Sequence, residues 1–162
     1  MKYPIGNQDF KKIREEGFIY IDKTRLIFDL VKNKSYVFLT RPRRFGKSLL
    51  LSTIKAYFEG KKELFAGLAI SELEKDWCSY PVLHLEMSRY EPEREGSLEA
   101  VLEEQFQVWE ELYEVKEKMA SFSARFARII RSAYKKTGKK VVILVDEYDN
   151  LLINTLNKRE RH

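Results

Sequence analysis

A chain of 162 residues with 44% apolar and 34% charged side chains has room for one domain with a sizeable core, and its composition excludes the disordered and fibrous classes. Its apolar runs are strand-length and Met1-Lys2-Tyr3-Pro4 lacks an apolar leader core, so no membrane span is expected and the cytoplasm is the default compartment. One cysteine, Cys78, rules out an internal disulfide, and with only His84 and His162 beside it a zinc site is not expected.

A short helix is expected from Asp9 to Arg14, broken at Gly17, followed by a short apolar strand or extended segment at Phe18-Ile19-Tyr20-Ile21. Thr24 can cap a helix with a buried stripe of Leu26, Ile27, Leu30 and Val31. Asp22-Lys23-Thr24 then reads either as packing near a nucleotide base or as a plain helix cap with a surface lysine. Tyr36 to Thr40 is expected as the first central strand.

That strand runs into Arg41-Pro42-Arg43-Arg44-Phe45-Gly46-Lys47-Ser48, which opens a helix with Leu50, Ile54, Tyr57 and Phe58 on one face. An apolar strand, Gly-Lys-Ser and an amphipathic helix in this order form a phosphate-binding pattern. Backbone N–H groups at a helix start suit phosphate oxygens. Gly46 allows close approach, Lys47 can reach the β- and γ-phosphates, and the Ser48 hydroxyl can ligate Mg²⁺. The first glycine of G-x-x-x-x-G-K-[ST] is replaced by Arg41, which Pro42 biases toward extended geometry. Arg43 and Arg44 either add charge to the phosphates or are solvated.

Beyond the loop helix, Lys61-Lys62-Glu63-Leu64-Phe65 is expected as a short helix between Gly60 and Gly67. Pro81 to Ser88 reads as a half-buried strand with Leu83, Leu85 and Met87 on its inner face. His84 and Glu86 on the other face form an acid–base pair or, more simply, a solvated surface. Gly96-Ser97 begins a long helix with Leu98, Val101, Leu102, Phe106 and Trp109 inside. A second has Phe122, Phe126, Ile129, Ile130 and Ala133 inside and ends at Gly138. Lys135, Lys136, Lys139 and Lys140 around that end complement the helix dipole or, given the formal charge of +5, offer a surface to nucleic acid. Val141 to Val145 is a buried strand ending in Asp146, placed to organise magnesium, and Glu147, placed to polarise an attacking water. The expected fold is α/β: a three-layer sandwich on a mainly parallel sheet, spanning residues 1–162 as one domain.

The chain resembles the AAA-ATPase-like family of P-loop proteins abundant in gut and anaerobic bacteria. The resemblance rests on Pro4-Ile5-Gly6, Asp9-Phe10, Tyr20 to Thr24, the arginine-rich Phe38 to Ser48, Tyr57 to Gly60, Leu64 to Leu68, Tyr80-Pro81-Val82 and the Asp-Glu-Tyr-Asp box at Asp146 to Asp149. It implies an ATPase in which MgATP sits on Phe45 to Ser48, with Arg43 and Arg44 nearby. It also implies a longer protein, usually ending in a PD-(D/E)xK nuclease-like domain, of which this chain is the N-terminal portion. A later strand would then lie between the loop strand and the Asp146 strand, leaving a gap in the sheet of this piece. Glu114-Val115-Lys116 fits a nuclease E-x-K only superficially, because it falls in a helical, charge-rich segment.

The leading expectation is thus an ATPase coupling its nucleotide state to a protein partner, to another copy of itself, or to a downstream domain. The alternative is a nucleotide-responsive binding module without turnover, or a truncated remnant.

Overall fold

Asp9 and Asp22 set the first helix starts in the computed structural model, which describes residues 2–33, 36–40, 45–91, 94, 96–117 and 119–148. Their contacts divide into two units, residues 1–80 and 81–162. The class is mixed α/β, with a parallel pair of strands in the second unit.

In the first unit, Asp9 accepts the Lys12 amide and starts α1 (Phe10–Glu15). α2 (Thr24–Asn33), α3 (Lys47–Phe58), a 3₁₀ turn (Lys62–Phe65) and α4 (Ala69–Leu73) follow. Phe10, fully buried, is the hub of the core, with the Phe65 ring 4.8 Å and the Tyr20 ring 5.0 Å away between centroids. Its amide also donates to the Ser52 hydroxyl of α3 (2.9 Å), fixing α1 on the loop helix. Arg14 donates to the Leu64 and Ala66 carbonyls at 2.8 and 2.7 Å, holding the 3₁₀ turn against α1.

Sequence reading makes Thr24 the cap of α2, but the side chain that caps lies two residues earlier and serves two helices. Asp22 Oδ1 accepts both the Thr24 amide (2.8 Å) and the Thr24 hydroxyl (2.7 Å), while Oδ2 accepts the Ala69 amide (2.7 Å) at the start of α4. Thr24 Oγ1 in turn accepts the Ile70 amide at 3.1 Å. Burial opposes ionisation of Asp22, but the bonds from Ala69 and Thr24 outweigh it and lower its pKa. Leu26, expected inside, is 67% exposed; Ile27 is buried and Val31 packs on the core as expected, with Phe28 beside them in place of Leu26. An isolated bridge joins Phe18 to Lys2, so Phe18–Ile21 is extended rather than part of a sheet.

Glu74 gathers the other ends of these helices. Its carboxylate accepts the Tyr57 hydroxyl of α3, Lys32 Nζ of α2 (2.9 Å), and the amides of Lys75 and Asp76 (3.0 Å each). Its side chain is 4% exposed. Burial would raise the Glu74 pKa, but the bonds from Tyr57 and Lys32 reverse this and hold it at about 2. Burial and the adjacent carboxylate push the Tyr57 phenol far up. Two residues beyond α3, Gly60 sits at φ +71, and a Cβ there would meet Ser79 at 3.2 Å. The turn therefore needs glycine on both conformational and steric grounds.

The second unit contains β1 (Val82–Glu86), α5 (Ser97–Leu112), α6 (Phe122–Thr137) and β2 (Val142–Asp146). The strands pair parallel, in register from Val82 with Val142 to Glu86 with Asp146. Such pairing requires a long crossover, here supplied by the two helices. Leu83, Phe106, Trp109 and Ile129 form the core, with the Phe106 and Phe126 rings stacked at 5.5 Å. Arg125 binds Glu103 and Glu110 of α5 and lies over the Phe106 and Phe122 rings, joining the helices by charge as well as by apolar contact.

Two further sequence expectations fail. Tyr36 to Thr40 is not a strand: the described sheet contains β1 and β2 alone, and Tyr36, Val37 and Phe38 are 96%, 51% and 68% exposed. Of the three-layer α/β sandwich expected from the sequence, the described residues contain the mixed α/β class and one parallel pair of strands. Glu114-Val115-Lys116 is not helical either: α5 ends at Leu112, Glu114 turns to φ +55, and its carboxylate binds Lys136.

The Glu74 cluster predicts a pH-dependent stability. An unfolded carboxyl near 4.5 lowered to about 2 on folding stabilises fully above pH 4.5 and loses that contribution as pH falls toward 2. Glu74→Gln should lower the unfolding free energy at pH 7 by about 2–3 kcal/mol, with the difference from wild type shrinking in acid. Urea unfolding of both proteins at pH 7 and pH 3 checks this; equal stability at pH 7 would refute the account.

Candidate functional site

The loop and the acidic strand end lie in different units. In the first unit, Phe45 is 65% exposed and Gly46 takes φ +74, ψ +28 as the residue before α3. A left-handed backbone at this point turns the chain into the helix, and L side chains other than Asn or Asp visit it at a cost of roughly 1–2 kcal/mol. A Cβ at Gly46 would have none of the described residues within 4 Å, so the demand for glycine is conformational. Gly46, at the cap position, has no side chain with which to cap α3. Lys47 and Ser48 are its first two residues and are half-buried. The helix start thus presents amides and a partial positive charge, with a lysine and a hydroxyl beside them.

In the second unit, β2 delivers Asp146 to its C-terminal end, 6% exposed. One carboxylate oxygen accepts the Glu147 amide at 2.9 Å. The Asp146 carbonyl accepts the Met87 amide at 3.3 Å, tying the end of β2 to the end of β1. Glu147 has φ +56, an unusual conformation for a residue with a long side chain, and directs the chain out of the strand. Among the described residues no three His, Cys, Asp or Glu side chains gather to hold a metal ion. A cation at Asp146 would need oxygens from elsewhere, as Mg²⁺ does when it is shared between one or two carboxylates and a phosphate.

The structure therefore places Phe45, Gly46, Lys47 and Ser48 together at one helix start, and Asp146 and Glu147 together at one strand end. Arg43 and Arg44 lie outside the described residues, as do Arg41, Pro42 and Asp149. Glu86 is exposed and accepts the Ser88 hydroxyl at 2.8 Å, while its backbone is bracketed by Gln105 of α5. Glu86 thus lies at the surface, whereas His84 is half-buried, with its Nε2 buried. Sequence reasoning misses Asp22, Tyr57 and Glu74 as a set, because their partners lie up to 47 residues away in sequence.

The model of the family described as Predicted AAA-ATPase, AAA-ATPase-like, matches residues 4–162. The chain belongs to the AAA-ATPase-like family. A protein of Azotobacter chroococcum mcd 1, described as an uncharacterized protein in the vnfD 5′ region, is 37% identical over 161 residues. That match covers 98% of this chain and 31% of the relative, so the chain spans about a third of the relative's length. No solved structure matches it. No helix among the described residues is long and apolar enough to cross a membrane.

The conformational demand at Gly46 can be measured directly. Gly46→Ala should destabilise the fold by about 1–2 kcal/mol, and Gly46→Asn by less, since Asn tolerates the left-handed region. Thermal unfolding of the three proteins should rank them Gly, Asn, Ala; an alanine variant as stable as wild type would mean that the turn does not need its positive φ.

Proposed function

We propose that the chain is the nucleotide-binding part of a Mg²⁺-dependent ATPase. The observation that carries this reading is the pairing of Gly46-Lys47-Ser48 at the start of α3 with family membership over residues 4–162. The residues fit the group. The α3 amides can bind phosphate oxygens, and the Lys47 ammonium can neutralise charge on the terminal phosphates. The Ser48 hydroxyl and the remaining carboxylate oxygen of Asp146 are hard oxygen donors suited to Mg²⁺. When bound, Mg²⁺ would withdraw charge from the transferred phosphoryl group. Glu147 orients and polarises the attacking water and takes its proton. Arg43 and Arg44 add positive charge to the loop. In this reading the finer fold is that of a P-loop sandwich, to which β1 and β2 contribute neighbouring parallel strands. The chain would then act as the N-terminal part of a longer protein and pass its nucleotide state onward.

Thermal unfolding with and without MgATP, repeated for Lys47→Ala, tests binding. Nucleotide at ~100 times its dissociation constant should add about 2.7 kcal/mol of stability to wild type and little to the variant. A folded wild-type protein with no shift would refute the assignment. Phosphate release by Glu147→Gln then separates two modes of action. Turnover lost with binding kept identifies a hydrolase; binding without turnover in wild type identifies a nucleotide-responsive module.

A further inference from the structure

The charges of the second unit are segregated by helix. α5 holds five glutamates and no basic residue, whereas α6 holds five Lys or Arg and no acidic one. From Lys118 to Val145 the sequence contains eight basic residues and no Asp or Glu. Part of this is accounted for by helix pairing: Arg125 binds Glu103 and Glu110, Arg128 binds Glu117, and Lys136 binds Glu114 and the Leu112 carbonyl. The rest is not. Arg131, Lys135 and Lys140 are exposed and enter no ion pair among the described residues. Arg131 and Lys135 lie one turn apart on the outer side of α6, away from the fully buried Ile129 and Ala133. Tyr134, 56% exposed, stands beside them, and Lys139 and Lys140 continue the surface past Gly138.

From this arrangement we infer that the outer side of α6 and the turn after it form a binding surface for single-stranded nucleic acid. Unpaired cations along one helix face match a phosphate backbone, and an exposed aromatic ring among them offers a base a stacking partner. A lipid surface fits worse, because a membrane-surface helix needs a free apolar face, and that of α6 is committed to Phe106 and Leu83 in the core. The surface shares no residue with the proposed nucleotide site, so the inference stands or falls apart from the ATPase reading.

The test is fluorescence anisotropy of a labelled oligothymidylate of about 20 nucleotides with the full chain. Four phosphate contacts should lower affinity roughly 50-fold between 50 and 200 mM salt. Arg131→Glu combined with Lys135→Glu should weaken binding at least tenfold, and Tyr134→Ala severalfold. Arg25→Glu with Lys62→Glu, equally exposed cations of the first unit, should leave it within twofold. Far-UV circular dichroism checks folding; if the charge-reversed pair unfolds, Arg131→Gln with Lys135→Gln replaces it, with about fivefold weakening expected. Wild-type affinity in the α6 variants would overturn the proposal. So would equal competition by polyglutamate, or equally tight binding to vesicles rich in anionic lipid.

Discussion

A carboxylate that is 4% exposed cannot remain ionised without donors on both oxygens, and the need to supply them to Glu74 organises the first unit. The donors come from α2, from α3 and from the turn that follows α4. α2 and α3 are the two helices on either side of the loop, so a single charge fixes both ends of the chain segment that contains it. At the opposite end of α2, Asp22 and Thr24 fasten the same helix to the start of α4. The loop helix is thus held by polar contacts whose loss costs more than the contacts themselves contribute, because each would leave a buried group unpaired. Apolar packing around Phe10 adds cohesion, but it is the directional bonds that determine which helix ends meet.

The family's motifs separate on physical grounds into two kinds. Tyr20 to Thr24 and Tyr57 to Gly60 are architectural. Asp22 and Thr24 cap two helices, Tyr57 binds Glu74, and Gly60 makes room for Ser79. Lys23, which could have been read as a base-contacting residue, is exposed beside this cap. Gly46 to Ser48, Asp146 and Glu147 instead mark the ends of elements: the first three the start of α3, the buried Asp146 the end of β2, and Glu147 the residue after it.

Much of this was legible in the sequence where the signal is local. α5 and α6 lie close to where helical periodicity puts them, with Val101, Phe106, Trp109, Ile129 and Ala133 inside, and α6 stops at Gly138. The inner face of β1 follows from alternation at Leu83, Leu85 and Met87. What failed were judgments that depend on partners. Tyr36 to Thr40 has the composition of a strand but is not one among the described residues. Leu26 fits the α2 stripe as well as Phe28 does, and only the position of the core chooses between them. Asp22 to Ala69 and Tyr57 to Glu74 are long-range polar pairs, which leave no periodic trace.

Glu147 shows how far a local violation can be read. A glutamate at φ +56 gives up backbone energy that glycine or asparagine would retain, as Trp77 at φ +35 and Glu114 at φ +55 also do, whereas the reversals at Gly46, Gly60 and Gly138 use glycine. Its amide closes on Asp146, a bond that any residue's backbone could make, so the amide does not explain the choice of side chain. What glutamate adds at this position is a carboxylate directly after the buried aspartate, at the end of the strand. Positive φ at a residue with a long side chain does not by itself mark a reactive site in this chain, because Glu114 adopts it while its carboxylate serves an ion pair with Lys136. The role proposed for Glu147 rests instead on its position directly after Asp146, where β2 ends.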